Sequence, residues 1–472
     1  MEIKRIKKND LFSSLPEEWP VDLRHQIQEK VTASRRKIVV LDDDPTGTQT
    51  VHSIPVLTDW SVETLKSQLS NDLPVFYILT NSRSFTLDVA QSINTEIGRN
   101  LIEAAEQANC QFVVVSRSDS TLRGHFPDEV DSLATALKTD FDGWIITPFF
   151  PEGGRYTIGG IHYVDEEGWL VPAAETEFAK DSVFGYQSSN LCQWIEEKTR
   201  RRISSDDVSA VLIKDLREGG PERVSSILIQ LQHGSICVVD AVSYRDLEVF
   251  ILGLLNAEGQ GKKFLYRTAA SFVQVRSGLT SRPLLTVSDL NLPDTGGGLI
   301  IVGSYVPRTS EQLNMLLSQP NIIQTEVLVD ALMDDKLRMD EIERVALISD
   351  QALNSGKDMV IYTSRQLVTG KDTESSLSIG QGISKGLVNI LHKISATPRY
   401  ILSKGGITSS DVATDALQVK KAMVCGQILP GVPVWKLGNE SRYPDLIYIV
   451  FPGNVGNSES LVDVINKLKL HQ

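Results

Sequence analysis

The stretch KIVVLDDDPTGTQT, residues 37–50, decides how the rest of the chain is read. Lys37 to Leu41 is a short, apolar, β-branched run that predicts a buried strand, and Asp42, Asp43 and Asp44 arrive where it would leave its sheet. Three adjacent carboxylates repel one another, so the cluster is costly unless solvent, a cation or a polar ligand shares the site. Pro45-Thr46-Gly47 is a turn signal, and in open α/β sheets ligands bind just outside the carboxyl ends of strands. Taken alone, the three aspartates also fit an acidic cap on a surface strand.

Outward from this stretch the chain alternates strand and helix. Pro55–Thr58, Pro74–Leu79, Phe112–Val115 and Trp144–Thr147 read as strands, with helices over Val62–Leu69, Asp88–Asn109 and Asp128–Leu137. Pro148–Gly160 reads as a Gly-rich loop, and two further strands, Ala210–Ile213 and Ile236–Val239, flank a helix over Pro221–Gln232. Such repeats predict a mostly parallel sheet with right-handed crossovers, whose loops converge on one edge. Asp43, Asp44, Arg83, Arg117, Asp119, Ser120, Thr121 and Arg123 would then line one crevice. Arginines facing aspartates and hydroxyls suit a small hydroxylated carboxylic acid, because a guanidinium binds a carboxylate bidentately. Each arginine alone fits a surface ion pair; it is their joint placement that points to a pocket. Tyr266 and Arg267 fit either the pocket or an interdomain contact.

At 472 residues, with 41% apolar and 23% charged residues, two globular domains are expected. A net charge of −13 argues against a general nucleic-acid or membrane-surface binder, since either needs a basic face. Cys110, Cys192, Cys237 and Cys425 form no CxxC pair, so neither a zinc knuckle nor a disulfide framework is indicated. The basic N-terminal residues have no apolar run behind them, which gives a cytoplasmic expectation. Residues 1–36 read as an N-terminal extension with a helix over Val21–Ser34, 37–285 as the first domain, 286–298 as a linker around Thr295–Gly298, and 299–472 as the second domain.

The second half repeats the strand-to-helix pattern with different chemistry. Leu299–Val302, Met359–Tyr362, Tyr400–Leu402 and Ile447–Val450 read as strands, with helices from Ser310, from Asp411 and over Glu459–Leu470. Three strand ends run into Gly303–Thr309, Ser403–Ser410 and Phe451–Ser458, all rich in Gly, Ser and Thr. Turns of this kind leave backbone N–H groups uncovered, which favours phosphate oxygens. None matches GxxxxGK[ST] or GxGxxG, and each alone also fits an ordinary helix cap. Together they predict a nucleotide site in the second domain.

Asp43-Asp44-Pro-Thr46-Gly47, Asn81-Ser-Arg83, Asp119-Ser-Thr-Leu-Arg123-Gly124, Arg267-Thr-Ala-Ala-Ser271-Phe272, Gly405-Gly406-Ile-Thr408 and Gly453-Asn454-Val-Gly456, in this order, resemble the four-carbon acid sugar kinase family. The resemblance covers nearly all of the chain from Lys37, and its most specific part is DSTLRG. It implies a two-domain α/β protein, each domain a mostly parallel sheet flanked by helices, with an active site in the interdomain cleft. It also implies ATP-dependent phosphorylation of a terminal hydroxyl on threonate, erythronate, a 3-oxo-tetronate or a related branched acid. By that resemblance Asp43, Asp44, Arg83, Arg117, Asp119, Ser120, Thr121 and Arg123 contact the acid sugar. Ser304, Gly405, Gly406, Ile407, Thr408, Gly453 and Asn454 contact ATP, and Mg²⁺ bridges the phosphates through ligands the sequence does not identify. Pro45 and Arg117 depart from the family's usual bulky apolar residue and lysine.

Phosphoryl transfer asks for alignment, charge neutralisation and a group near the attacking hydroxyl. Asp44 is assigned that last role, with Asp119 second, and Lys404 or Arg308 is a candidate for charge on the γ-phosphate. Partners are expected to be the acid sugar and ATP, in a monomer or homo-oligomer, with no nucleic acid or membrane. Two other readings fit part of the chain. Asp42 to Thr46 also matches the DxDxT pattern of haloacid-dehalogenase-type phosphatases, although no late strand ends in paired acids. A non-catalytic sensor of nucleotide and metabolite would use the same residues without turnover.

Overall fold

A computed structural model of the protein describes residues 5–280, 282–320, 322–365 and 373–469. The chain divides into two compact units, one of residues 1–50 and 59–281 and the other of residues 51–58 and 282–472.

The first unit is organised on a parallel sheet with strands in the order Ser209–Val211, Ser235–Val239, Gly143–Thr147, Phe264–Thr268, Phe112–Arg117, Lys37–Asp42, Val75–Leu79. Lys37–Asp42 is buried along its whole length, as expected for a β-branched strand covered on both faces. The long helix Leu87–Ala108 turns Ala90, Asn94, Ile97, Leu101 and Ala104 inward at helical spacing. Parallel register places Asp42 beside Leu79 and Arg117, Arg117 beside Thr268, and Thr268 beside Thr147. The loops after these strands therefore leave the sheet at one edge.

The second unit has the order Ile54–Leu57, Lys421–Leu429, Val432–Leu437, Ile447–Phe451, Ile401–Lys404, Leu299–Val302, Asp358–Thr363, Ile322–Val327. The last five strands are parallel, and the first three with Ile447–Phe451 form an antiparallel extension. Ile300, Val302, Leu402, Ile447 and Ile449 join Leu313, Leu316, Leu461 and Val464 of the helices Pro307–Leu317 and Ser460–Leu468 in one core. Val302 lies beside Lys404, and Lys404 beside Phe451, so the three glycine-rich turns also share an edge.

Several elements depart from the sequence reading. Pro55–Thr58 belongs with the second unit, because Ile54–Leu57 pairs antiparallel with Lys421–Val424, a partner no local pattern announces. Pro148–Gly160 is not all loop: a turn at Pro151–Gly153 delivers the strand Arg155–Ile158, which forms an antiparallel sheet with Ile161–Glu166, Trp169–Pro172 and Ile6–Lys7. Residues 5–36 are thus partly built into the first unit. The helix expected from Asp411 starts at Gly406, since Gly405 at φ 111° turns the chain there, and continues as a π-helix over Val412–Ala416. Leu470 lies outside the described residues; the last helix covers Ser460–Leu468.

Candidate active site

At the carboxyl edge of the first unit the side chains form a chain of alternating charge. Arg117 Nη1 donates to Asp42 Oδ1 at 2.9 Å and lies 3.7 Å from Asp43 Oδ1. Arg83 donates to Asp44, and its other nitrogens lie 3.9 Å from Asp43 and 3.5 Å from Asp119. Arg123 Nε donates to Asp119 Oδ2 at 2.6 Å, and Nη1 lies 3.6 Å from Asp181. The structure therefore brings together Asp43, Asp44, Arg83, Arg117, Asp119 and Arg123 from three loops. Ser120 and Thr121 lie in the same loop as Asp119, both buried, with Thr121 Oγ1 donating to the Asp119 carboxylate.

The three aspartates do not share one environment. Asp42 is 1% exposed; burial pushes its carboxyl up to about 7 despite Arg117, and a Cβ on Gly47 would overlap it. Asp43 accepts from Ser118 Oγ at 2.6 Å, while its Oδ1 has no hydrogen-bond partner. Asp44 caps the turn Pro45–Thr48 by accepting from the Thr46 N–H at 2.8 Å. Burial disfavours its charge, but the Arg83 guanidinium and Thr46 outweigh that and hold the carboxyl below its ordinary value. At Asp119 burial is likewise overcome by Arg123 and Arg83, so it too stays ionised.

The loop Ser118–Gly124 is fixed from behind. His162 Nε2 lies 2.7 Å from the Ser120 carbonyl, Tyr186 Oη donates to that of Thr121 at 2.8 Å, and Arg267 Nη2 to that of Arg123 at 3.1 Å. Burial lowers His162 to about 4, so the imidazole is neutral and donates through Nε2 while Nδ1 faces Thr157 Oγ1 at 3.0 Å. Gly124, at φ 122°, permits the close packing: a Cβ would stand 3.1 Å from Ser118 Oγ, 3.2 Å from Arg267 and 3.3 Å from Asp43. Tyr266, by contrast, is buried against Glu258 and is core. Glu129, which accepts from Ser82 Oγ at 3.0 Å, Arg155, whose guanidinium lies over the Phe178 ring, and His162 are not picked out by the sequence reading. Only the Gly153-Gly154 pair before Arg155 offered a signal, a turn at the right strand end.

At the carboxyl edge of the second unit the contacts are made by small residues and backbone. Thr309 Oγ1 donates to Gly453 O at 3.1 Å and lies 3.3 Å from Ser304 Oγ. A Cβ on Gly405 would stand 2.9 Å from that of Ser304, one on Gly453 3.2 Å from Ser304 Oγ, and one on Gly303 would overlap Thr408. Ser304, Gly405, Thr408 and Gly453 therefore converge. Gly406 opens the helix, Ile407 is 56% exposed beside it, and Asn454 follows Gly453 in its turn. Lys404 is fully buried, its Nζ donating to Pro452 O at 2.9 Å over the Phe451 ring. Its ammonium is thus not presented to a phosphate, contrary to the sequence expectation; Arg308 is exposed.

Family models match both units in order: a sugar-binding N-terminal domain over residues 38–276 and a nucleotide-binding C-terminal domain over residues 299–461. The chain belongs to the four-carbon acid sugar kinase family. A D-erythronate kinase of Heliobacterium modesticaldum is 25% identical over 319 residues, spanning 66% of this chain and 66% of that relative, just under two thirds of its length. Two crystal structures share the fold seen here. A Salmonella typhimurium LT2 protein, reported under a provisional tRNA synthase name, is 18% identical with a TM-score of 0.66, over 92% of this chain and 100% of its own. A Haemophilus influenzae protein is 19% identical with a TM-score of 0.58, over 91% of this chain and 100% of its own. Among the described residues, no helix of this family member is long and apolar enough to cross a membrane.

Proposed function

We propose that the protein transfers the γ-phosphoryl group of ATP to a terminal hydroxyl of a four-carbon acid sugar such as erythronate, threonate or a 3-oxo-tetronate, or of a closely related branched acid. The observation that carries this reading is the aspartate–arginine chain at the carboxyl edge of the sugar-binding unit, in a chain similar to a D-erythronate kinase. Asp44, kept ionised by Arg83, accepts the hydrogen of the attacking hydroxyl and orients its oxygen; a loose transition state needs orientation more than a strong base. Asp43 and the Asp119–Arg123 loop position the other hydroxyls.

In the second unit the turns around Ser304, Gly405–Thr408 and Gly453-Asn454 offer hydroxyls and backbone amides, a donor set that suits phosphate oxygens. Among the described residues no group of three or more His, Cys, Asp or Glu side chains could hold a metal ion. A Mg²⁺ ion bound together with ATP would supply neutralisation of phosphate charge. The phosphatase alternative would require Asp42 as nucleophile. That carboxyl is buried, pushed up to about 7 and packed against Gly47, which argues against attack on a phosphate.

The test is a coupled ADP-release assay over C4 and branched acid sugars, with the phosphorylated oxygen mapped. ADP formed only when an acid is supplied supports the kinase. Phosphate release from a sugar phosphate without nucleotide would support the phosphatase, and ligand-induced stabilisation with no ADP the sensor.

A further inference from the structure

Five guanidiniums surround the Asp119 loop, and they are not equivalent. Arg83, Arg117 and Arg123 are each within ion-pair distance of two or more carboxylates of the unit. Their charge is already matched before any substrate arrives. Arg155 and Arg267 have no such partner among the described residues, and each keeps a buried nitrogen without an acceptor, Nε in Arg155 and Nη1 in Arg267. Arg267 is 6% exposed and tied into the fold by the Arg123 carbonyl and the Phe126 ring, 5.2 Å away. Arg155 is half-buried, less enclosed than Arg267.

The position of Arg155 is built rather than incidental. It opens the strand Arg155–Ile158, which the Pro151–Gly153 turn delivers after the Gly143–Thr147 strand, and a Cβ on Gly153 would stand 2.7 Å from its Nη1. Its guanidinium lies 5.4 Å from the centre of the Phe178 ring, which is also 5.2 Å from Arg123. A partly desolvated guanidinium with no carboxylate within ion-pair distance among the described residues gains from an anion supplied from outside.

We propose that Arg155 receives the carboxylate of the acid sugar and so sets the preference for an acid over a neutral polyol. This rests on the function proposed above and deepens it. Arg83, Arg117 and Arg123 then serve to hold the aspartates that face the hydroxyls, and the substrate is oriented with its carboxylate at Arg155 and its terminal hydroxyl toward Asp44.

The test compares D-erythronate with its primary amide, D-erythronamide, in the unsubstituted protein and in the Arg155→Met and Arg155→Lys variants. It reads kcat/KM by ADP release and, without turnover, the shift of melting temperature by each compound. Arg155→Met is expected to lose about 10- to 100-fold in kcat/KM for the acid and less than about threefold for the amide, with the KM for ATP unchanged. Arg155→Lys recovers part of the loss. Equal losses for acid and amide, or none, overturn the assignment of Arg155 alone. If the unsubstituted protein forms no ADP with any acid, the kinase reading falls and the melting shift decides: stabilisation by D-erythronate that Arg155→Met abolishes sustains the proposal, and its absence or persistence in both proteins overturns it.

Discussion

The two units present the same architectural feature, a row of loops at the carboxyl ends of parallel strands, and furnish it with opposite materials. In the first, ion pairs alternate through Arg117, Asp43, Arg83, Asp119 and Arg123. In the second, Ser304, Thr309, Gly405 and Gly453 meet through hydroxyls and backbone, and the one lysine beneath them is turned away into the core. Buried charges add little net stability and bind selectively, because each must be matched. A polyol acid, small and variable in stereochemistry, calls for such matching. In the function proposed above, phosphates need only donors that can approach closely, a requirement that glycine-rich turns meet.

The sharpest way to break this contrast is Asp44→Asn. It removes the carboxylate that Arg83 supports, and kcat for acid phosphorylation should fall about 10²- to 10⁴-fold while the KM for ATP stays within a small factor. Near-normal turnover in the ADP assay would remove Asp44 from the proposed mechanism. Gly405→Ala addresses the other edge. A methyl group at φ 111°, 2.9 Å from Ser304, should raise the KM for ATP by about tenfold and leave acid binding unaltered, as titration calorimetry with the acid would check.

A third comparison sets carboxylates against pH. Burial holds Glu129 up to about 7, above the ordinary 4.5, with Asp43 nearby adding to the shift and Ser82 Oγ donating at 3.0 Å. Between these values the native state keeps a proton that the unfolded chain has released. The stability contributed by this group is therefore full below the unfolded value and is lost as pH rises through about 7. Glu129→Gln should flatten that dependence, with a higher melting temperature than the unsubstituted protein at about pH 8 and little gain at about pH 5. Equal differences at both values would show that Glu129 does not titrate in this range. The smallest effect is expected from Lys404→Met, which keeps the buried stem and removes an amine that burial holds well below the ordinary lysine pKa and that is not offered to phosphate. Nucleotide KM should change by less than about fivefold in the same assay; a loss of turnover comparable to that of Asp44→Asn would restore Lys404 to the chemistry.

Much of this was legible in the sequence, for identifiable reasons. Lys37–Asp42 and Leu299–Val302 are continuous apolar runs followed by turn formers, so the strands and the loops that leave them could be placed from local pattern. The partners of the resulting loops could not. Nothing around His162 or Arg267 tells that their side chains meet carbonyls of the Ser118–Gly124 loop, because those contacts span 42 and 144 residues. The helix that begins at Gly406 is expected only from Asp411 because a glycine pair reads as loop, although Gly405 supplies only the turn and Gly406 already belongs to the helix. The antiparallel pairing of Ile54–Leu57 with Lys421–Val424 escaped for the same reason of distance.

That last pairing has a consequence for biosynthesis. Thr58 and its backbone acceptor Val419 are 361 residues apart, so a ribosome releases this short strand long before it makes the partner. The second unit cannot complete its sheet until the strand Ile447–Phe451 has been made, and the nascent chain leading out of the aspartate loop must wait with an unsatisfied edge. Separating the halves of the gene by one cut after residue 281 would leave that strand on the wrong polypeptide.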